Sequence, residues 1–214
     1  MEQPLAAAFR KVTGATVRFA LGSSGMLSQQ IANGAPYDVF LSANQEYVDQ
    51  LVRSGHILPD TVLWYANGRL ALWSRSGTIR ILQQLDAPNL LHIAVANPAH
   101  APYGLAARQA LQTRGLWVRV EKKIVYAENV RQAWEYARGG NVDAALTAWT
   151  LVHDQSGVLV PAEWHQPIRQ VGGVVKSSRQ VALARRFLTF LKGPEGRAVL
   201  QSYGLFPPGD GGRP

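Results

Sequence analysis

Gly22–Asn44 reads GSSGMLSQQIANGAPYDVFLSAN, in succession a turn, a short helix, an exit loop, a strand and the cap of a second helix. Ser23 and Ser24 precede an amphipathic run with Leu27 and Ile31 one helical turn apart. A serine there caps a helix and leaves unpaired N–H groups facing outward. Such an end favours an anion, because the dipole and the free donors point the same way. Gly34 suits the left-handed residue after a helix, and Pro36 blocks continuation. Tyr37–Leu41 then reads as a strand, and Ser42 or Asn44 caps a further helix. Taken alone, the serine turn reads as an ordinary helix cap, and it is the recurrence of similar ends later in the chain that points to a site.

Outward from this stretch, strands and helices alternate. Leu5–Val12 is a helix ending at Gly14, and Thr16–Leu21 is a strand. Glu46–Arg53 is a helix stopped by Gly55. Asn67-Gly68 signals a turn before the strand Arg69–Ser74, and Ile79–Leu85 is a short helix. A second series follows: strand Leu91–Ala96, loop Asn97–Gly104 (NPAHAPYG), helix Leu105–Arg114, strand Lys123–Ala127, a helix opened by Glu128-Asn129-Val130 and running to Arg138, and strand Ala144–Ala148. Arg169–Val175 suits a crossing strand, Arg179–Leu191 and Glu195–Tyr203 are helices, and the Pro/Gly-rich tail Pro207–Pro214 is expected to fray. This order predicts an α/β fold with mainly parallel sheets and flanking helices, in two lobes.

The 214 residues are 47% hydrophobic and 17% charged, enough for a real core. No apolar run approaches the ~20 residues that cross a bilayer. With no cysteine, disulfides and thiolate metal sites are excluded. The net charge of +8 favours anionic ligands, but the cations are scattered and form no nucleic-acid arm.

Three junctions share one property. Gly22-Ser23-Ser24-Gly25, Pro102-Tyr103-Gly104 and Glu128-Asn129-Val130 each put a helix start just past the carboxyl end of a strand, the edge where open α/β sheets bind ligands. Backbone N–H groups of Ser24, Tyr103 and Val130, with a serine hydroxyl, could hold a small oxyanion without a buried cation. Any α/β protein has helix ends on this edge, so the structural reading stands beside the functional one. Catalytic patterns are wanting. His92, His100, His153 and His165 lack HExxH spacing, the serine turn is not GxSxG, and Asp38 and Asp143 read as structural acids.

At these junctions the chain resembles the molybdate-binding proteins of bacterial ABC-type molybdate import. The matching stretches are Gly22–Asn44, Asn97–Gly104, ENVRQA at Glu128–Ala133 and LKGPEGRAVLQSY at Leu191–Tyr203. The resemblance implies a two-lobed periplasmic-binding-protein fold of type II, with 1–69 plus 173–214 as one lobe and 70–172 as the other. It implies a non-enzymatic, monomeric protein of the periplasm that captures molybdate or tungstate, needs no other cofactor, does not bind nucleic acid, and delivers the anion to a membrane permease. Ser24, Tyr103 and Val130 are then the anion donors, with Ser23 and Asn129 as neighbours. Crossings near Arg69–Ser74 and Arg169–Val175 are the expected hinge. Where some relatives place a ligand tyrosine after the late strand, this chain has Ala148. In the family a strand and a polar, anion-touching loop precede the first helix. Here Met1 falls inside that helix and no export signal is present, so a sheet with one central position empty is expected. Other readings are the ligand-sensing domain of a transcriptional regulator, a hydrolase or transferase of phosphate esters, and a shortened homologue that binds nothing.

Overall fold

A computed structural model describes residues 1–209. The stretch from Asp210, part of the tail expected to fray, lies outside the described residues. The chain divides into two compact units: Met1–Asn67 with the residues from Arg169 on, and Gly68–Ile168. It passes between them twice, after Asn67 and after Ile168.

In the first unit, α1 (Glu2–Thr13) leads through an irregular stretch to α2 (Ser24–Ala32), β1 (Val39–Ser42) and α3 (Gln45–Arg53). β2 (Leu63–Gly68) follows, and after the return come β8 (Ile168–Val174), α8 (Val181–Lys192) and α9 (Pro194–Ser202). The sheet has the order β1-β8-β2, with β1 antiparallel to β8 in the register Val39↔Val174 to Ser42↔Val171. Strand side chains alternate between faces, and two cores result. Val39, Leu41 and Val174 join Leu5, Phe9, Phe187 and Leu191 of α1 and α8. Phe40 and Val171 join Ile31, Val48, Leu51 and Ile57 on the other face. Phe9 meets Phe187 and Phe190 edge-on, with ring centroids 5.1 and 5.3 Å apart. The acid Asp38 accepts from Ser178 Oγ at 2.5 Å, a structural role.

The second unit holds β3 (Leu70–Ser74), β4 (Ile93–Ala96), α4 (Pro102–Thr113), α5 (Trp117–Val120), β5 (Ile124–Ala127), α6 (Val130–Arg138), β6 (Ala144–Ala148), α7 (Trp149–Val152) and β7 (Val158–Leu159). Its five strands run in the order β5-β4-β6-β3-β7. Ala71, Ala94 and Ala145 pack with Trp134 and Ala137 of α6. Asp143 accepts from the N–H groups of Leu91 and His92 at 2.8 and 2.9 Å and so anchors the entry to β4.

Several sequence expectations need correction. The sheets are mixed rather than mainly parallel: β4 is parallel to β5 and β6, while β3 is antiparallel to β6 and β7. Each unit takes in a crossing segment, β3 or β8, that runs against its neighbour. Thr16–Leu21 is not a strand. Exposure alternates along Thr16–Ala20 as in a strand, and Val17 and Phe19 pack against the α1–α8 core. Yet Thr16–Gly22 make no hydrogen bond among the described residues, and an extended chain becomes a strand only through a ladder. Asn67-Gly68 is no turn but the end of β2, and Ile79–Leu85 yields only a 3₁₀ turn, Leu82–Asp86.

Candidate functional site

Each unit carries one half of the predicted constellation. In the first, Ser23 caps α2 with extended backbone, and its Oγ accepts from Met26 N–H at 3.4 Å. Ser24 is the first helical residue and only 7% exposed. Its Oγ accepts from Ala43 N–H at 3.1 Å, which leaves the hydroxyl proton free to donate elsewhere. The N–H groups of Ser24 and Gly25 meet no acceptor among the described residues. Gly34, with φ of +86°, ends this helix in the left-handed region, as the sequence suggested. Ser42 and Asn44 close the neighbouring turn. Ser42 Oγ donates to Asn44 O, and Asn44 Oδ1 accepts from Glu46 N–H at 2.9 Å, capping α3.

In the second unit two helix starts stand side by side. β4 and β5 are parallel neighbours in the register Ala96↔Ala127, and Asn97 N–H donates to Ala127 O at 2.8 Å. The helices that follow these strands, α4 and α6, therefore open on one sheet edge. Tyr103 is the second residue of α4 and buried, behind Pro102. Gly104 explains how close α4 comes to the sheet. A Cβ there would lie 1.9 Å from the carbonyl oxygen of Ala96, so only glycine permits this approach. Gly104 N–H has no acceptor among the described residues.

Val130 opens α6 behind its cap, Asn129, whose Oδ1 accepts from Gln132 N–H at 3.0 Å. Gln132 reaches back to Glu128 N–H at 2.7 Å. Thr147, wholly buried on β6, donates to Val130 O at 2.9 Å and fixes the helix start to the strand. Val130 N–H itself has no acceptor among the described residues. Two helix starts on one edge, with donors aimed outward, attract a compact anion and repel a cation.

The structure thus brings Tyr103, Asn129 and Val130 to one edge of the second unit, and Ser23 and Ser24 to one helix start of the first. Sequence reasoning missed the supports: Ala43, Thr147 and the close approach at Gly104. It also missed Arg69, taken there as a strand's first residue. Arg69 is buried just beyond Leu70, which pairs with Ala148 at the carboxyl end of β6. Its Nη2 donates to Val160 O at 3.1 Å, and its O accepts from Trp149 N–H at 2.9 Å. Loss of solvent pushes its pKa below the ordinary arginine value, and Glu163 pulls the other way. The only sequence signal for Arg69 is one cation in an apolar run.

Burial likewise pushes the His165 pKa down, while the hydrogen bond to Gln166 O opposes it. Among the described residues no group of three or more His, Cys, Asp or Glu side chains gathers where a metal ion could sit. No helix there is long and apolar enough to cross a membrane.

Comparison with known proteins covers nearly all of the described chain. Residues 1–206 match the family model of bacterial extracellular solute-binding proteins. The molybdate-binding protein ModA of Rhodobacter capsulatus is 35% identical over 204 residues, covering 94% of this chain and 81% of that protein. The solved periplasmic molybdate-binding protein of Azotobacter vinelandii superposes with a TM-score of 0.91 at 34% identity, covering 97% of this chain and 94% of that one. The substrate-binding domain of a putative molybdenum ABC transporter from Clostridium difficile gives 0.71 at 25% identity, covering 96% and 93%.

Proposed function

Because the chain belongs to the bacterial extracellular solute-binding protein family, we propose that it captures molybdate or tungstate and hands it to the membrane permease of an ABC transporter. The relatives named as molybdate-binding support the ligand class. The observation that carries the reading is the buried Ser24: its hydroxyl is oriented by Ala43 N–H, and it opens a helix whose first N–H groups have no acceptor among the described residues.

Ser24 donates its hydroxyl proton and N–H to the oxyanion, and the N–H groups of Tyr103 and Val130 donate from the other lobe. Hydrogen bonds to a charged acceptor are roughly twice as strong as neutral ones. A neutral donor set suits a dianion that must be released again. Ser23 and Asn129 hold the two helix starts in place through Met26 and Gln132. The crossings after Asn67 and Ile168 form the hinge, and closure shields the anion from water. The ligand shifts the open–closed equilibrium by its greater affinity for the closed form.

The protein works as a monomer in the periplasm, binds no nucleic acid and performs no covalent chemistry. Isothermal titration tests this. Molybdate and tungstate bind at one site per chain, sulfate binds far more weakly, and phosphate esters are not turned over. Absence of heat with either metal oxyanion, or turnover of an ester, would overturn the reading.

A further inference from the structure

Positive charge in the first unit is gathered on one side. From Arg169 onward the sequence has eight Lys and Arg residues against two Asp and Glu, so six of the eight net positive charges lie in this stretch. Three helices, α1, α8 and α9, share the core on one face of the β1-β8-β2 sheet. On α8 the buried residues Ala184, Phe187, Leu188 and Leu191 recur three or four apart. Its opposite side exposes Arg185, Arg186, Thr189 and Lys192, and the helix contains no acid. Arg179 stands exposed just before the N-cap Gln180, and Arg197 is exposed on α9. The helices over the other face of the sheet differ. There α2 carries no charge, and α3 has Glu46, Asp49 and Arg53, the first and last paired at 2.8 Å.

Ordinary stabilisation accounts for part of this. Arg185 pairs with Asp60 at 2.8 Å, and Lys192 sits in the last turn of α8, where the helix dipole favours a cation. It does not account for Arg179, which stands at the positive end of α8 with no acid in the first turn. Among the described residues, Arg179, Arg186, Lys192 and Arg197 have no acidic partner.

We propose that this α8–α9 face docks the protein reversibly on an anionic lipid surface. The twelve residues of α8 span about 18 Å, so its cations form a row and do not converge on one small anion. A row of this kind suits a plane of phosphate headgroups. No large hydrophobic residue is exposed on α8 or α9. The face therefore lacks the apolar or aromatic anchor that centres a protein interface, and it has nothing to insert between acyl chains. What remains is electrostatic attraction. Each Lys or Arg near an anionic membrane is worth about a five-fold gain in binding, so four give roughly several hundred-fold over a neutral one. Salt screens most of that gain. The docking requires neither the oxyanion nor the second unit.

The test sediments the whole protein with vesicles made of equal parts phosphatidylglycerol and phosphatidylcholine at low salt. Wild type should bind them, should not bind pure phosphatidylcholine, and should be released as salt rises to about 0.5 M. The variant R179Q/R186Q/K192Q should bind about 100-fold more weakly, with its molybdate titration unchanged. The variant R108Q/R114Q/K122Q removes the same charge from the second unit and should lose less than about 3-fold. Failure of wild type to bind the anionic vesicles would overturn the proposal. So would binding that survives the high salt, or an equal loss in the two variants, since net charge alone would then be at work. Soluble polyglutamate that binds as tightly as the vesicles would assign the face to an acidic protein and overturn it as well.

Discussion

The two units are built from the same kinds of segment but differ in how their sheets are completed. In the second, the strands that lead to the helix starts at Tyr103 and Val130, β4 and β5, are hydrogen-bonded to one another in a five-stranded sheet. In the first, the segment leading into the Ser23–Ser24 helix start has the alternation of a strand and no ladder, and a cavity lies beside it. Ser23 and Asn129 therefore cap their helix starts in the two units alike, on unequal foundations. Strand character is a property of pairing. Side-chain pattern places Val17 and Phe19 correctly against the core, and main-chain hydrogen bonds do not follow from that alone.

The contrast should be largest in hydrogen exchange. Amides of Thr16–Leu21 are expected to exchange almost as in a free peptide, while those of β4 and β6 should be slower by orders of magnitude. Comparable protection in the two places would erase the distinction. Leucine truncations come next. Leu146→Ala, in the filled sheet and fully buried, should cost about 2–5 kcal/mol in denaturant unfolding. Leu41→Ala, on the wall of the cavity, should fall at or below the bottom of that range, because its side chain already faces empty space.

The glycines before and within the helix starts give a smaller pair. Gly104→Ala collides with the backbone at Ala96 and should destabilise by about 3 kcal/mol, the upper part of the overpacking range. Gly22→Ala meets only the Leu27 side chain at 3.3 Å and should be nearly silent.

The smallest effect is a pH dependence. The hydrogen bond from the His92 backbone, more than that from Leu91, holds the Asp143 carboxyl below its ordinary value against the opposing effect of desolvation. A lowered native pKa stabilises above the unfolded value, and that stability is lost as pH falls through the native one. Asp143→Asn should therefore cost under about 1 kcal/mol near neutrality, given solvent screening, and nothing below the native pKa. A penalty that persists in strong acid would mean the group acts by packing.

What was legible in the sequence is local. Ser23, Asn44 and Asn129 cap helices within three residues of themselves, and Gly34 ends one. What was not legible depends on distant segments. Asn67 looks like a turn residue beside Gly68, yet its N–H and C=O pair with Phe206 at 2.7 and 2.9 Å, which keeps β2 extended. Gly104 looks like loop punctuation, but its lack of a side chain matters because β4 returns beneath it. Thr147 is one of many buried strand residues until its hydroxyl is seen to fix Val130. The donors could be named from junction patterns, and the residues that hold them could not.

The most direct measurement is a calorimetric titration of molybdate into the wild-type protein and into Ser24→Ala. Removing a donor to a charged ligand should weaken binding about 10- to 100-fold, the equivalent of about 1.5–3 kcal/mol, with stoichiometry and fold unchanged. The same Kd for both proteins would take Ser24 out of the site and contradict the assignment of the Ser23–Ser24 helix start as half of an oxyanion cradle.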